Sequence, residues 1–284
     1  MRKLLLLLTC ISVGYSCNNP SESKISLAKT VDTTYQSVVA ILRVDSTGKK
    51  ILAGSGVLIH PNVILTAGHI NYSNVNAWDK SCSLIGYVSF GNNALQSNDL
   101  IPFNWLKDVE THPDQAELIR SAKDTTIKIN AEMFTDIGLI FLTQPVLNMP
   151  LINLPDSNLL SRIGKDDLLI GSGYGYQLVD TIYHRIPRLV DGQRRKWQLT
   201  QVTLVNDLWL KVDCDPVSNL PYIGIFDSGA PLLLNNSVVV GIWGSMDDAS
   251  EPCLYSSWAA RIDNPKVLKW IQDCIKLRDE KQTN

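Results

Sequence analysis

Three short segments of this chain carry the residue types that a serine nucleophile needs. His69 ends one apolar run, Asp136 opens another, and Ser228 is followed by a glycine in a predicted turn. A serine hydroxyl is a weak nucleophile at neutral pH, so it requires a histidine as base and a carboxylate that orients the histidine. Each segment alone has an ordinary structural interpretation. Together they make His69, Asp136 and Ser228 candidates for the base, the carboxylate and the nucleophile of an acyl-transfer site.

The choice of base is narrow because the chain contains only four histidines. His60 and His112 each precede a proline in a predicted turn, and His184 has no adjoining motif. We interpret these three histidines as surface residues.

The elements that must position these side chains are typical of an all-β protein. Short β-branched runs at 38–42, 51–59, 139–142 and 238–243 alternate with turn residues. Many short strands with frequent turns favour a β-sandwich or barrel over alternating βα units. At the end of the chain, Pro265 and a helical spacing of apolar residues predict one helix.

The site segments resemble motifs of the trypsin-like (chymotrypsin-fold) serine protease family, and they follow one another in its order. Residues 54–59 (GSGVLI) and 63–69 (VILTAGH) resemble its Gly-Ser-Gly strand and its Leu-Thr-Ala-Ala-His strand. Residues 136–142 (DIGLIFL) resemble its Asp-Ile-Ala-Leu-Ile-x-Leu strand, and 226–232 (FDSGAPL) resemble its Gly-Asp-Ser-Gly-Gly-Pro-Leu segment. Three matches in one order are a specific signal.

Further matches extend the resemblance over about 37–274. Residues 171–175 (GSGYG) resemble the Gly-Trp-Gly strand of the family, and 240–244 (VGIWG) resemble its substrate-binding strand. The resemblance implies an all-β fold of two six-stranded antiparallel β-barrels (chymotrypsin-like) with a C-terminal α-helix. We place the N-terminal barrel at 34–155, the C-terminal barrel at 156–262, the helix at 263–276 and a tail at 277–284.

The resemblance implies a serine endopeptidase that hydrolyses peptide bonds through an acyl-enzyme, with no cofactor and no metal. His69 would be the base, Asp136 would hold it, and the backbone N–H groups of Phe226 and Ser228 would form the oxyanion hole. Phe226 stands where the family has glycine. A Cβ there can turn the peptide and withdraw a donor, which costs about 10²–10³ in rate. The alternatives are a catalytically silent homologue that binds a protein or peptide in the same cleft, and an esterase or amidase using the same triad.

Candidate substrate-binding residues follow from the same resemblance. Tyr222 stands six positions before Ser228, where the family has the floor of its specificity pocket, which argues against an acidic floor selecting Arg or Lys. The strand after the serine aligns in two ways. With a one-residue deletion, Trp243 and Gly244 keep the Trp-Gly of the family and line the substrate with Ser245. Without it, Met246 replaces a glycine of the pocket wall. The residue that pairs with the Asp before the serine, Asp227, is left open.

The N-terminus predicts export. Arg2 and Lys3 precede an apolar run at 4–15, which is shorter than the about 20 residues that span a bilayer and is typical of a secretory signal. Residues 13–17 (VGYSC) resemble a bacterial lipoprotein cleavage box. They predict a signal peptide at 1–17 whose Cys17 becomes lipidated, and a polar tether at 18–33. We therefore expect an extracytoplasmic bacterial protein anchored by Cys17 to the outer or cytoplasmic membrane. Cleavage near Ser16 without lipidation would instead leave it periplasmic or secreted.

Charge and cysteine content complete the sequence-based picture. The formal net charge of -2 argues against nucleic acid as a partner, so the expected partner is a protein or peptide substrate. Cys82, Cys214, Cys253 and Cys274 form an even set, consistent with up to two disulfides in an oxidising compartment. Cys214 and Cys253 flank the serine segment and can link the loops of the specificity pocket, which leaves Cys82–Cys274 as the second pair.

Overall fold

Antiparallel strands make up most of the computed structural model, which describes residues 30–75, 84–122, 134–163, 167–175, 178–181, 184–187, 191–199, 203–204, 206–214, 226–246 and 255–283. In chain order the described strands are β1 (Thr30–Val31), β2 (Val38–Val44), β3 (Lys50–His60), β4 (Val63–Thr66), β5 (Ile85–Ser89), β6 (Leu100–Asn104), β7 (Val109–Thr111), β8 (Gly138–Phe141), β9 (Leu169–Gly173), β10 (Leu178–Thr181), β11 (His184–Pro187), β12 (Arg195–Leu199), β13 (Thr203–Leu204), β14 (Trp209–Cys214), β15 (Pro231–Leu234), β16 (Val238–Met246) and β17 (Tyr255–Arg261). The described helices are α1 (Gly68–Val75), α2 (Pro113–Ala122), α3 (Pro265–Thr283) and a short 3-10 helix (Leu159–Arg162).

The first sheet contains seven described strands in the order β6-β5-β2-β3-β4-β8-β7. Strand β2 lies between β3 and β5, and its residues Val38 to Leu42 are completely buried. A continuous β-branched and apolar run is what a strand covered on both faces requires. A bulge in the β2–β3 pairing between Ile41 and Leu42 helps the sheet to bend.

The second sheet contains eight described strands in the order β1-β12-β9-β15-β16-β17-β14-β13, while β10 and β11 form a separate hairpin. The two large sheets are curled half-barrels, which confirms the all-β fold with a C-terminal helix. They do not have six strands each as expected. The excess comes from short edge strands, because β1 and β13 have two residues each and β7 has three.

The end of the predicted tether at 18–33 belongs to the fold, which corrects the sequence-based prediction for residues 30–33. Strand β1 pairs with β12, and Asp32 is completely buried. The Asp32 carboxylate accepts a hydrogen bond from Ser172 Oγ at 2.7 Å and lies 3.4 Å from Arg194 Nε. A buried arginine needs a counter-charge, and Asp32 supplies it from a segment whose polar composition suggested a solvated linker.

Helix α3 is longer than the predicted 263–276 and includes most of the predicted tail at 277–284. Its start is as expected, because the Asn264 side chain caps the helix by accepting the Lys266 N–H at 2.9 Å and Pro265 occupies its first position. The extension has a partner on the first half-barrel. Arg278 donates to Asp108 at 2.8 Å, and its guanidinium lies 5.2 Å from the centre of the Phe141 ring.

Cys274 on α3 carries a free thiol, so the predicted pair Cys82–Cys274 is wrong. The side chain packs partly buried against the hydrophobic core. Burial raises the pKa of this thiol to about 11, and the Glu110 and Asp273 carboxylates act in the same direction. Cys82 and Cys253 lie outside the described residues, so the pair Cys214–Cys253 stays a prediction.

The predicted signal peptide at 1–17, including Cys17, also lies outside the described residues. Among the helices of the described ranges, none combines the length and the apolar character that crossing a bilayer demands.

Candidate active site

His69 and Asp136 meet because the strands that carry them are neighbours. Strand β4 ends at Thr66 and pairs antiparallel with β8, so that Thr66 lies opposite Gly138. His69 follows the end of β4, and Asp136 precedes the start of β8. The two side chains therefore project from the same edge of the first half-barrel, as the sequence predicted.

The contact between them has two hydrogen bonds. The His69 backbone N–H donates to Asp136 Oδ1 at 2.8 Å, and the ring Nδ1 lies 2.7 Å from Oδ2. An ionised carboxylate can only accept, so the Nδ1 atom carries the proton and Nε2 holds the lone pair. Asp136 is 7% exposed and His69 is 34% exposed, which leaves part of the imidazole open to a ligand.

Two opposing effects set the pKa of His69. Burial lowers it, because the imidazolium loses hydration, while the charge and the hydrogen bond of Asp136 raise it. The result is a pKa above the ordinary value of 6.5. His69 therefore carries a stabilised imidazolium when it is protonated, as a general base must.

Ser228 lies on the second half-barrel against the segment that carries His69. Its carbonyl accepts the Ser55 N–H at 2.8 Å, and the next residue, Gly229, donates to Trp243 O at 2.7 Å. Gly229 has φ +83°, and a Cβ there would collide with the Ser55 carbonyl and the Thr66 hydroxyl. This close approach requires glycine.

The Ser228 hydroxyl makes no hydrogen bond to the His69 ring, although the structure describes both residues. Hydrogen bonds between nucleophile and base are often long in unliganded sites and tighten when substrate binds. The structure therefore joins His69 and Asp136 directly and places the Ser228 segment against β3 and the end of β4.

Phe226 adopts a backbone conformation that favours glycine. Its φ is +73°, in the left-handed region that residues with a Cβ rarely occupy. The side chain is half-buried against the hydrophobic core, and the carbonyl accepts a hydrogen bond from Ser55 Oγ at 2.9 Å. The Cβ has not driven this residue into the ordinary right-handed or extended regions.

Asp227 has a partner that the sequence did not reveal. Its carboxylate is completely buried and accepts the Gly175 backbone N–H at 2.9 Å. A Cβ on Gly173 would lie 2.7 Å from Asp227 Oδ1, and one on Gly175 would overlap the carboxylate. Gly173 and Gly175 therefore leave room for the Asp227 carboxylate.

The substrate-binding prediction for Trp243 is wrong. Its indole is completely buried in the core of the second half-barrel, where it cannot line a cleft. A Cβ on Gly244 would lie 2.7 Å from Asp136 Oδ2 and 3.2 Å from the Trp209 ring, so this residue covers the aspartate. The alignment with a one-residue deletion is thus disfavoured. The side chain of Ser245 is outside the described set and Tyr222 is outside the described ranges, so both remain predicted contacts.

The other histidines are not alternative bases in the described part of the chain. His60 Nδ1 lies 2.6 Å from Asn62 Oδ1, and the side chain of His184 is outside the described set. His112 is buried rather than on the surface, and its ring packs edge-on against Trp270 with 5.0 Å between centres. Burial lowers the pKa of His112, and the Asp114 charge opposes this only in part. The same described ranges contain no cluster of three or more His, Cys, Asp or Glu side chains that could hold a metal ion.

Comparison with known proteins gives one family and several similar folds. The family model described as Trypsin matches residues 29–271. The solved structure of HL collagenase superposes with a TM-score of 0.60 at 15% identity, over 87% of this chain and 96% of that chain. The structure of GrC superposes with a TM-score of 0.57 at 17% identity, over 87% of this chain and 98% of that chain. A scabies mite inactivated protease paralogue, S-I1, superposes with a TM-score of 0.54 at 17% identity, over 85% of this chain and 95% of that chain. At these identities the likeness establishes the fold alone. No curated protein sequence matches the chain.

Proposed function

Because the chain belongs to the trypsin family, whose model matches residues 29–271, we propose that it is a serine endopeptidase acting through His69, Asp136 and Ser228. The observation that carries the proposal is the double hydrogen bond between His69 and Asp136, at 2.8 Å and 2.7 Å. A carboxylate that binds a histidine through both its backbone and its ring sets the ring position and its tautomer. Those are the two requirements of the base in a Ser-His-Asp triad.

In the proposed reaction, His69 Nε2 takes the proton of Ser228 as the Oγ atom attacks the carbonyl carbon of the scissile bond. The carbonyl π electrons move to oxygen, and the N–H groups of Phe226 and Ser228 stabilise the oxyanion. When this intermediate collapses, the C–N bond breaks and the imidazolium gives its proton to the leaving amine. Water then attacks the acyl-enzyme with His69 as base, which releases the acid and restores the serine.

Labelling with a fluorophosphonate probe tests the proposal directly, since the probe reacts only with an activated serine. The folded protein should be labelled, and both Ser228→Ala and heat-unfolded wild type should not. Ser161→Ala is the matched control, because Ser161 is an exposed serine of the 3-10 helix and its loss should leave labelling unchanged. Digestion of a diverse peptide library by the same samples should show cleavage that depends on Ser228.

The second candidate function is a catalytically silent homologue that binds a protein or peptide in the same cleft. One observation favours it: Phe226 stands where the family has the glycine of its oxyanion hole. Folded wild-type protein that the probe does not label would contradict proteolysis and favour this function. Turnover of small esters without any peptide cleavage would establish an esterase or amidase.

We also propose that the protein acts outside the cytoplasm as a lipoprotein anchored through Cys17. The support is the order of features at the N-terminus, where Arg2 and Lys3 precede an apolar run that ends at a cysteine. Metabolic labelling with a fatty acid should mark the wild-type protein, and the label should be lost in Cys17→Ala. Export without the label would indicate a periplasmic or secreted protein.

A further inference from the structure

We propose that Ser55 is a positioning residue for the oxyanion hole, because its buried hydroxyl holds Phe226 in the left-handed conformation. The inference rests on the proposed function, since an oxyanion hole matters only to an enzyme. It explains how a residue with a Cβ can occupy a place that favours glycine. It also gives a role to the serine of the 54–59 segment, which the triad does not use.

The conformation of Phe226 requires a restraint. At φ +73° its Cβ crowds the following carbonyl, so the isolated peptide would prefer another region of φ and ψ. Strained residues of this kind persist where surrounding contacts hold them, and such residues are concentrated at functional sites. The restraint must act on the peptide bonds beside Phe226.

Ser55 on β3 supplies one such contact, at Phe226, and a second contact close by, at Ser228. Its hydroxyl donates to the Phe226 carbonyl at 2.9 Å, and its backbone N–H donates to the Ser228 carbonyl at 2.8 Å. The hydroxyl also accepts the Tyr174 N–H at 3.0 Å, and the residue is completely buried. A serine hydroxyl has one proton, and with Tyr174 occupying its acceptor side that proton is directed to Phe226.

The position of these contacts along the chain connects them to catalysis. The peptide group between Phe226 and Asp227 lies between the two groups that carry the proposed donors, the Phe226 N–H and the Ser228 N–H. The orientation of this central peptide sets ψ of Phe226 and φ of Asp227, two of the torsions that determine how the donors lie relative to each other. Ser55 therefore fixes the donor pair from one side, while the Gly175 bond to Asp227 fixes it from the other.

The Ser55→Ala variant tests this role. A single neutral hydrogen bond of this kind corresponds to a roughly tenfold change, so we expect kcat to fall about tenfold while KM changes by less than about twofold. The acid limb of the pH profile should not move, because His69 and Asp136 are untouched. Ser172→Ala is the matched control. It removes an equally buried serine hydroxyl, which donates to Asp32 and not to Phe226, and should leave kcat unchanged.

The Phe226→Gly background separates positioning from general loss of packing. Glycine adopts positive φ without strain, so Ser55→Ala should there lower kcat by less than about threefold. An equal tenfold loss in both backgrounds would contradict the restraint on Phe226. Ser55→Cys, which keeps a side chain with a weaker donor, should give an intermediate loss, and it serves as the second variant if Ser55→Ala does not fold.

Hydrogen exchange in Ser228→Ala protein tests the contact without catalysis. Adding Ser55→Ala should speed exchange in peptides that cover 226–230 by about tenfold, while Ser172→Ala should not affect them. If wild type is labelled by the fluorophosphonate but Ser55→Ala keeps full kcat and unchanged exchange, the role of Ser55 is wrong. If wild type is not labelled, the proposed function fails instead, and faster exchange would still support the contact.

Discussion

At the scale of single residues, burial and charge have opposite effects on the pKa of His69. Burial alone would lower the pKa of this histidine, but Asp136 accepts its Nδ1 proton at 2.7 Å and raises the pKa above 6.5. In the proposed reaction, His69 must be neutral to accept a proton from Ser228. Activity should therefore fall as the pH drops through a value above 6.5, and the protonated form is the one that Asp136 stabilises.

The first prediction concerns this acid limb. Asp136→Asn removes the charge but leaves the burial, so the pKa of His69 should fall and the acid limb of kcat/KM should move to lower pH. The amide also permits the wrong tautomer, and kcat should drop by about 10⁴. Asp114→Asn is the control, because Asp114 lies 3.6 Å from another histidine, His112. A pH–rate profile measures both variants, and an unshifted limb in Asp136→Asn would contradict the assigned base.

At the scale of elements, a buried ion pair holds strand β1 in the second half-barrel. Asp32 follows β1 and Arg194 precedes β12, and both side chains are completely buried. Arg194 also reaches the first half-barrel, where its guanidinium donates to Val38 O at 3.2 Å and to Asn92 Oδ1 at 2.8 Å. The short strand β1 thus takes its place through a charge interaction, since two residues of pairing alone are a weak anchor.

The second prediction concerns this pair. Asp32→Leu leaves a buried guanidinium without its counter-charge and should lower the free energy of unfolding by about 3–5 kcal/mol. The double variant Asp32→Leu/Arg194→Met should recover most of that loss, because no unpaired charge remains. Urea unfolding measures both.

An exposed pair on α3 provides the control. Lys269 and Asp273 are 2.8 Å apart with 74% and 53% of their side chains exposed, so Asp273→Ala should change stability by at most about 0.5 kcal/mol. A double variant as unstable as Asp32→Leu would show that the charge is not what holds β1.

At the scale of the whole molecule, helix α3 connects the C-terminal part of the chain to the first half-barrel. It follows β17 of the second half-barrel, yet its side chains contact residues that lie in or beside β7 and β8 of the first. Trp270 packs on His112, and Arg278 binds Asp108 and lies over Phe141. The last turns of the helix are therefore a structural part of the fold and extend beyond the boundary that apolar spacing predicted.

The third prediction tests that connection. Arg278→Ala removes a partly buried ion pair and the contact with the Phe141 ring, so it should lower the free energy of unfolding by about 1–2 kcal/mol. Lys276→Ala is the matched control, because Lys276 is 76% exposed and lies 3.9 Å from Glu280. Thermal unfolding should show a clear decrease for Arg278→Ala and almost none for Lys276→Ala. Equal effects would contradict a specific role for the helix extension.

Local patterns in the sequence were sufficient for the strand-rich fold, and the resemblance of three motifs to a protease family predicted the meeting of His69 with Asp136. His69 follows β4 and Asp136 precedes β8, and the apolar runs of both strands can be recognised in the sequence. The antiparallel pairing of β4 with β8 brings these two ends together. The capped start of α3 was equally local, because Asn264 and Pro265 act on the next few residues. Alternation, caps and motif order all operate over short stretches of chain, and a single sequence displays them.

Contacts between distant parts of the chain were decided only by the tertiary structure. Asp32 meets Ser172 across 140 residues, and Asp227 meets Gly175 across 52. Trp243 is in the core and not in the cleft, because burial depends on what covers a strand and not on the strand itself. A buried charge or a strained φ is stable only when a specific partner stands beside it. The sequence alone therefore determined which residues could do chemistry, and the packing of the two half-barrels decided which neighbours hold them in place.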